Sequence, residues 1–328
     1  VSRPATRPAP AAGYLFAVLG ALFFGANGSL TKLVVHAGLS PTQITQFRTL
    51  GTAVLAGAVL LVLDRSGFRI RPRQLVVMAV LGIAGVAALQ VFYASALDRL
   101  PVGITLLIEY LAVLFVALIA FLFFHERVRA RLWIAIALVL AGMAVVARIW
   151  DSRLDGLGLL LALGAAGALT VYFVIGERQV STTSPLAVSF WTMLFAAAFW
   201  FPLSGWWEIS AETLTSAVAV GGVHGELEVP MWAAVAAIVV TGTFLPFLFS
   251  FLALRRLTAT AVGIAASSEV LFAFAVAWIW LGESLDLAQT LGAAIVLVGI
   301  VLAQTSRAGK VVDADLALAP RSDVSGRR

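Results

Sequence analysis

The chain has 328 residues, of which 61% are hydrophobic and 12% charged, with a formal net charge of +5 and no cysteine. Apolar runs of about 18 residues or more recur through nearly its whole length, which marks a polytopic α-helical membrane protein and excludes a soluble domain. Disulfide and thiolate chemistry are closed to it, and its basic residues fall in short connections between apolar runs, so they speak for membrane topology and against a nucleic-acid partner.

Residues 1–12 form a Pro/Ala-rich tail with Arg3 and Arg7, and no cleavable signal peptide is expected because the apolar run that follows is long enough to span. Ten spans are predicted, at roughly 13–35, 42–63, 74–97, 101–124, 132–150, 157–175, 185–204, 231–252, 258–280 and 287–304. The connections are short except 205–230, which holds Trp206, Trp207, His224 and four glutamates but no Lys or Arg. Residues 305–328 are polar and Arg-rich and read as a disordered cytoplasmic tail. With the N-terminus inside, 17 of the 22 basic residues fall in cytoplasmic segments and only Arg99, Arg148 and Arg153 in outer ones. Lys32 and Arg48 lie within spans, and both termini are therefore expected in the cytoplasm.

An internal repeat organises these spans. Ala96, Leu97 and Leu100 match Ala253, Leu254 and Leu257 at an offset of 157, which also places Glu126 on Glu283. Ser40-Pro41 matches Ser184-Pro185 at an offset of 144, with Gly20-Ala21 on Gly164-Ala165. Two five-span halves follow, at 13–150 and 151–304, and the extra length of the second lies in 205–230. An odd number of spans per repeat turns the halves opposite ways in the membrane, the plan of many secondary transporters, whose binding sites lie near the midplane between the halves.

The stretch Phe24-Gly25-Ala26-Asn27-Gly28 followed by Lys32, then Gly38-Leu39-Ser40-Pro41 and Phe47-Arg48, together with Glu269-Val-Leu-Phe-Ala leading to Gly282-Glu283, resembles the EamA family of the drug/metabolite transporter superfamily. Ile108-Glu109-Tyr110-Leu111 is similar to the first-half version in exporters of the threonine/homoserine type. The resemblance covers both halves and implies a multi-pass inner-membrane carrier, usually an exporter, of small metabolites or amino acids.

Six residues are candidates for substrate binding or coupling: Glu269, Glu109, Arg48, Lys32, Asn27 and Gln90. Glu269 stands at the middle of the apolar segment 261–283, on one i±4 row with Ala261, Ala265, Ala273 and Ala277. Such a small-residue stripe admits a neighbouring helix, so the acid is expected to face protein, where it must be paired, hydrated or held neutral. It can line a cavity and carry a proton, or only lock packing through an interhelical hydrogen bond. Glu109 has the same alternatives and lies nearer the outer end of its span, about one helical turn out of register with Glu269. Its neighbour Tyr110 points some 100° away and is read as lipid-facing, without a role. Arg48, about two turns into span two, is a binding or gating charge that could pair with Glu109, or an interfacial anchor. Lys32 is expected to snorkel to the outer surface. Asn27 and Gln90, with Gln46 and Ser95, can offer polar groups to a solute or to another helix. Pro246 should kink span eight and free a carbonyl. Phe92, Tyr93 and Trp191 can line a cavity or simply pack. Glu126 and Glu283, at span ends, read as solvated boundary or gate-stabilising residues.

Motifs for chemistry are lacking. His36, His125 and His224 are scattered, His125-Glu126 lacks the second histidine of a zinc helix, and Gly309-Lys310 is no phosphate loop, so neither metal nor cofactor is expected. An intramembrane enzyme would need a base beside Ser267 or Ser268, where the sequence puts only Glu269. The expected partners are a small-molecule substrate and the lipid bilayer, with a homodimer left open. The expected activity is secondary transport by rocking of the halves, with export coupled to protons; a membrane scaffold or sensor on a degenerate transporter fold is the alternative.

Overall fold

The computed structural model describes residues 10–112, 114–115, 130–146, 155–225, 227–254, 265–266 and 268–306. The outer parts of the two predicted tails, His125, Glu126 and the start of predicted span nine at 258–264 lie outside them. The apolar helices, long and short, are α1 (Pro10–His36), α2 (Pro41–Leu63), α3 (Pro72–Leu97), α4 (Val102–Glu109) and α5 (Ala130–Val146), then α6 (Gly156–Thr182), α7 (Pro185–Trp200), α8 (231–254), α9 (Ser268–Leu281) and α10 (Leu287–Ser306). Among the described residues, five helices are long and apolar enough to cross a membrane, at Ala11–His36, Pro41–Leu63, Pro72–Leu97, Gly156–Gly176 and Met231–Ser250. The surface agrees with a lipid solvent. Val62 and Leu287 are 82% and 77% exposed, whereas Arg48, Gln46, Glu109 and Glu269 are buried. The chain is a multi-pass membrane protein.

Local chemistry sets the helix starts. Gly38, at φ +113°, turns the chain between α1 and α2 in a conformation that suits glycine. Ser40 Oγ then accepts from Gln43 N at 3.2 Å while Gln43 Oε1 accepts from Ser40 N at 3.0 Å, a reciprocal cap, and Pro41 fills the first turn. At α7, Ser184 Oγ accepts from Ala187 N at 3.3 Å ahead of Pro185, so the repeated Ser-Pro pair performs the same task in both halves.

Helix packing repeats with the sequence. α1 lies against α8 and α9, and its counterpart α6 lies against α3 and α4; α2 packs on α7 and α5 on α10. Each first helix is thus docked into the other half. Wide π-helical turns interrupt α3 at Leu81–Ala87 and α8 at Val240–Phe244. Both contain a glycine at the 157-residue offset, Gly85 and Gly242. A Cβ on Gly85 would stand 3.3 Å from Tyr172 Cα of α6, and one on Gly242 would overlap Asn27 of α1, so the first helices pack directly on these turns. α5 and α10 cross at Gly142 and Gly292, where a Cβ on either would come within 2.9 Å of the other's carbonyl oxygen.

The connections gather at two ends. At the end carrying Lys32, Gln43 Nε2 donates to Gly205 O at 3.3 Å, Arg99 pairs with Asp155 at 3.6 Å, and Trp280 Nε1 donates to Val220 O at 2.6 Å. At the opposite end Trp191 Nε1 donates to Gly67 O at 3.1 Å and Gln74 Nε2 to Thr183 Oγ1 at 3.4 Å. Segment 205–230, expected as a loop, contains a small hairpin in which β1 (Ala217–Ala219) pairs antiparallel with β2 (Glu228–Pro230). Val218 of this hairpin is buried with Val34, Leu39, Ile44 and Met231, which seats the segment on α1, α2 and α8.

Candidate functional site

Glu269 is buried and faces protein, as its alanine row predicts. A Cβ on Gly25 of α1 would stand 2.9 Å from both Glu269 O and Ala273 N, so glycine brings the α1 backbone directly onto α9 at the acid. Ala273 and Ala277 are buried on the same row, while Leu271 and Trp278 on the far side are exposed; Ala261 lies outside the described residues. On the other flank Tyr110 OH lies 2.7 Å from Glu269 Oε2, to which it donates, and 3.2 Å from Ala266 O.

That contact corrects the lipid-facing reading of Tyr110. The 100° projection itself holds, since Tyr110 N still bonds to Leu106 O at 2.9 Å, but every residue of α4 from Val102 to Glu109 is buried, so no side of this helix is left to face lipid; α4 ends at Glu109 and residues 110–111 form a turn. Leu111 N bonds to Ile108 O at 3.0 Å, a tighter i to i−3 step that changes the direction of the chain. The helix thus ends beside two buried groups, Glu109 and Tyr110. A helix broken beside a buried acid leaves polar groups where only protein or a cavity can meet them.

Arg48 enters from α2. Its Nε donates to Thr243 Oγ1 at 3.0 Å and its Nη2 to Gly242 O at 3.4 Å. Gly242 O is the carbonyl four residues before Pro246, which has no N–H to give it, so the freed carbonyl expected from Pro246 is met by the guanidinium. Arg48 and Glu109 form no ion pair. Arg48 Nη1 and Glu109 Oε2 are both buried without a hydrogen-bond partner, although each residue lies within electrostatic reach of the other, and Glu109 also within that of Glu269.

Other buried polar atoms without a hydrogen-bond partner among the described residues are both amide atoms of Gln46, Gln90 Oε1 and Tyr93 OH, of which Tyr93 lies within electrostatic reach of Arg48, Glu109 and Glu269. Tyr93 OH stands against Gly28, where a Cβ would come within 2.6 Å of it. Gln90 Nε2 reaches only Met193 Sδ, at 3.9 Å. Asn27 accepts from Thr31 Oγ1 at 3.3 Å and lies against Gly242, hence beside the Arg48 contacts. Arg48, Glu109, Glu269, Asn27 and Gln90 are therefore buried polar groups on helices of both halves. Phe92, Tyr93 and Trp191 do not form a common lining: Phe92 packs on Gly164 and is partly exposed, and Trp191 belongs to the Gly67 end.

Lys32 stands apart from that group. Its Nζ pairs with Glu283 Oε1 at 2.6 Å and donates to Leu100 O at 3.4 Å, while Glu283 Oε2 accepts from Val102 N at 3.0 Å at the start of α4. The lysine does reach toward its end of the protein as a snorkelling side chain should, but it finds a carboxylate there. Glu283, expected to be solvated, is only one-fifth exposed. Nothing local in the sequence links two residues 251 positions apart. No group of His, Asp and Glu that could hold a metal occurs among the described residues.

The model of the EamA-like transporter family matches residues 11–148 and 156–305. The threonine/homoserine exporter RhtA of Salmonella typhimurium is 27% identical over 203 residues, and that of Escherichia coli K12 is 26% identical over 203 residues. Each alignment spans 61% of this chain and 61% of the relative's length. A protein crystal structure shares the fold with a TM-score of 0.61 at 18% identity, covering 93% of this chain and 99% of its own.

Proposed function

Since the chain belongs to the EamA-like transporter family, we propose that it is a secondary carrier exporting small zwitterionic metabolites such as amino acids by alternating access, with protons moving the opposite way. It works as ten spans in a bacterial-type inner membrane, with both termini cytoplasmic. The observation that supports this reading is a group of buried polar atoms without partners among the described residues and within electrostatic reach of one another: Arg48 Nη1, Glu109 Oε2 and Tyr93 OH, the last two also within reach of Glu269. Such groups are costly to bury unmet, and a bound solute supplies what they lack.

The charges suit a zwitterion. Arg48 Nη1 offers a donor to a carboxylate and Glu109 Oε2 an acceptor to an ammonium. Two acids and one guanidinium occupy the site, so one carboxylate must be neutralised by something else in so dry a place. A proton on Glu269 meets that need in the empty site, and a solute ammonium bound at Glu109 stabilises the ionised form of nearby Glu269 and expels its proton, an exchange that is antiport. Glu269, held by Tyr110, is the acid assigned to the proton. The exchanged docking of α1 and α6 and the paired π turns support rocking of one half against the other. The names of the curated relatives support threonine as the first solute to try.

Proteoliposomes loaded with radiolabelled threonine and other amino acids test the reading by comparing efflux with and without a pH gradient for wild type and Glu269→Gln. Gradient-accelerated efflux in wild type, lost in the variant, is expected. Efflux indifferent to the gradient in both overturns the coupling, and no efflux above empty liposomes for any amino acid overturns the export reading.

A further inference from the structure

A cleft of about 320 Å³ opens at the Lys32 end, with Lys32 and Glu283 in its wall and Phe274 and Ala277 at its base. That volume is at the small end of ligand sites and admits a small metabolite. Directly below it Val102, Tyr93, Ala273 and Ala277 form one buried apolar cluster, and Phe274 fills the space over Gly103. Ala277 is eight residues from Glu269 on α9, roughly 12 Å along the helix axis. A thin plug therefore separates the cleft from the buried acids.

The Lys32–Glu283 bridge closes that plug. It ties α1 to the α9–α10 connection, and through Leu100 O and Val102 N it ties both to the start of α4. Three elements that line the way to Glu269 thus meet at one ion pair. The pair is about one-fifth exposed, so water from the cleft can replace either partner. Glu283 follows directly on the end of α9, which closes in a π turn at Ala277–Leu281 and Gly282 at φ +71°. Glu283 N returns to Ala277 O at 3.2 Å, so a movement of the acid is transmitted to the plug itself.

We propose that the Lys32–Glu283 bridge is the gate of the solute pathway at this end, and that the cleft beyond it is the vestibule into which a small solute is released. The proposal rests on the carrier reading and adds to it the place where the pathway opens. With the bridge formed, the plug under it is shut. Breaking the bridge frees the α9 end from α1 and α4 and wets the row that leads to Glu269.

Because the chain has no cysteine, a single introduced thiol reports access to one point. Ala273→Cys places it behind the bridge, one turn inside the residues that line the cleft, and the purified full-length carrier is labelled with a water-soluble maleimide. Adding Glu283→Ala is expected to raise the labelling rate at least tenfold, and Lys32→Ala is expected to do the same. Ala135→Cys, buried in α5 away from the cleft, is expected to stay slow in the same backgrounds. An unchanged rate at position 273 overturns the gate, as does an equal rise at position 135, which would mean general loosening. Should Ala273→Cys fail to fold, Leu106→Cys in the same buried cluster serves as the probe. The readout needs no transport, so failure of threonine efflux and failure of the gate are seen separately.

Discussion

The hydroxyl of Tyr110 lies 2.7 Å from Glu269 Oε2, and both side chains are buried, so the energy of this contact can be isolated by a double-mutant cycle. Tyr110→Phe removes the donor without removing the ring, and Glu269→Ala removes the acceptor. Polar contacts between membrane helices measured in this way average about 0.6 kcal/mol and reach about 1.7 kcal/mol. The short distance and the carboxyl acceptor place this one in the upper part of that range, at about 1.4 kcal/mol, which is roughly a tenfold change in the unfolding equilibrium. Ala266 O, at 3.2 Å, remains as an acceptor for Tyr110 after Glu269→Ala, so that single variant should lose less through this contact than a full orphaning of the hydroxyl would cost. The assay is equilibrium unfolding in mixed detergent for wild type, both single variants and the double variant. A coupling energy below about 0.5 kcal/mol, within the scatter of independent sites, would refute the contact and with it the assignment of Tyr110 as the residue that positions Glu269.

Three further outcomes follow from the packing. Gly25→Ala puts a methyl group 2.9 Å from backbone atoms of residues 269 and 273, so α1 and α9 must separate; a loss of about 1–3 kcal/mol and slower efflux are expected by unfolding and transport assays. Arg48→Lys keeps the charge but loses the planar fork that meets Thr243 and Gly242 together, and threonine efflux should fall by tenfold or more while the expression level is retained. Ser40→Ala and Ser184→Ala each remove one helix cap and should cost about 1 kcal/mol apiece, additively, with unchanged transport specificity.

The sequence was most informative where its signal is periodic. Hydropathy placed the long helices, the Ser-Pro repeat placed two caps, and the alanine row turned Glu269 toward protein, because each depends on neighbours three to four residues away. The 157-residue offset also joins Gly85 to Gly242, a signal for the paired π turns that the Ala-Leu match already contained. Features that depend on a break or a long-range meeting were not legible. Tyr110 was misplaced because a helical projection assumes one face toward lipid, whereas α4 is enclosed by other helices on every side. For Arg48 the sequence leaves open a pairing with Glu109 or an interfacial anchor, and its guanidinium instead meets Gly242 O, the carbonyl freed by Pro246, and Thr243. Lys32 and Glu283 each looked like an interfacial charge alone, and only their shared end of the bundle makes them a pair.

The central claim, that a proton on Glu269 and a zwitterion in the buried site exchange across the membrane, is tested most directly by watching the protons. Proteoliposomes enclosing a pH-sensitive dye, preloaded with threonine and set against threonine-free buffer at equal pH, should show an internal pH change that begins with efflux in wild type and is abolished in Glu269→Gln. Threonine efflux from wild type with no accompanying proton movement would contradict the account.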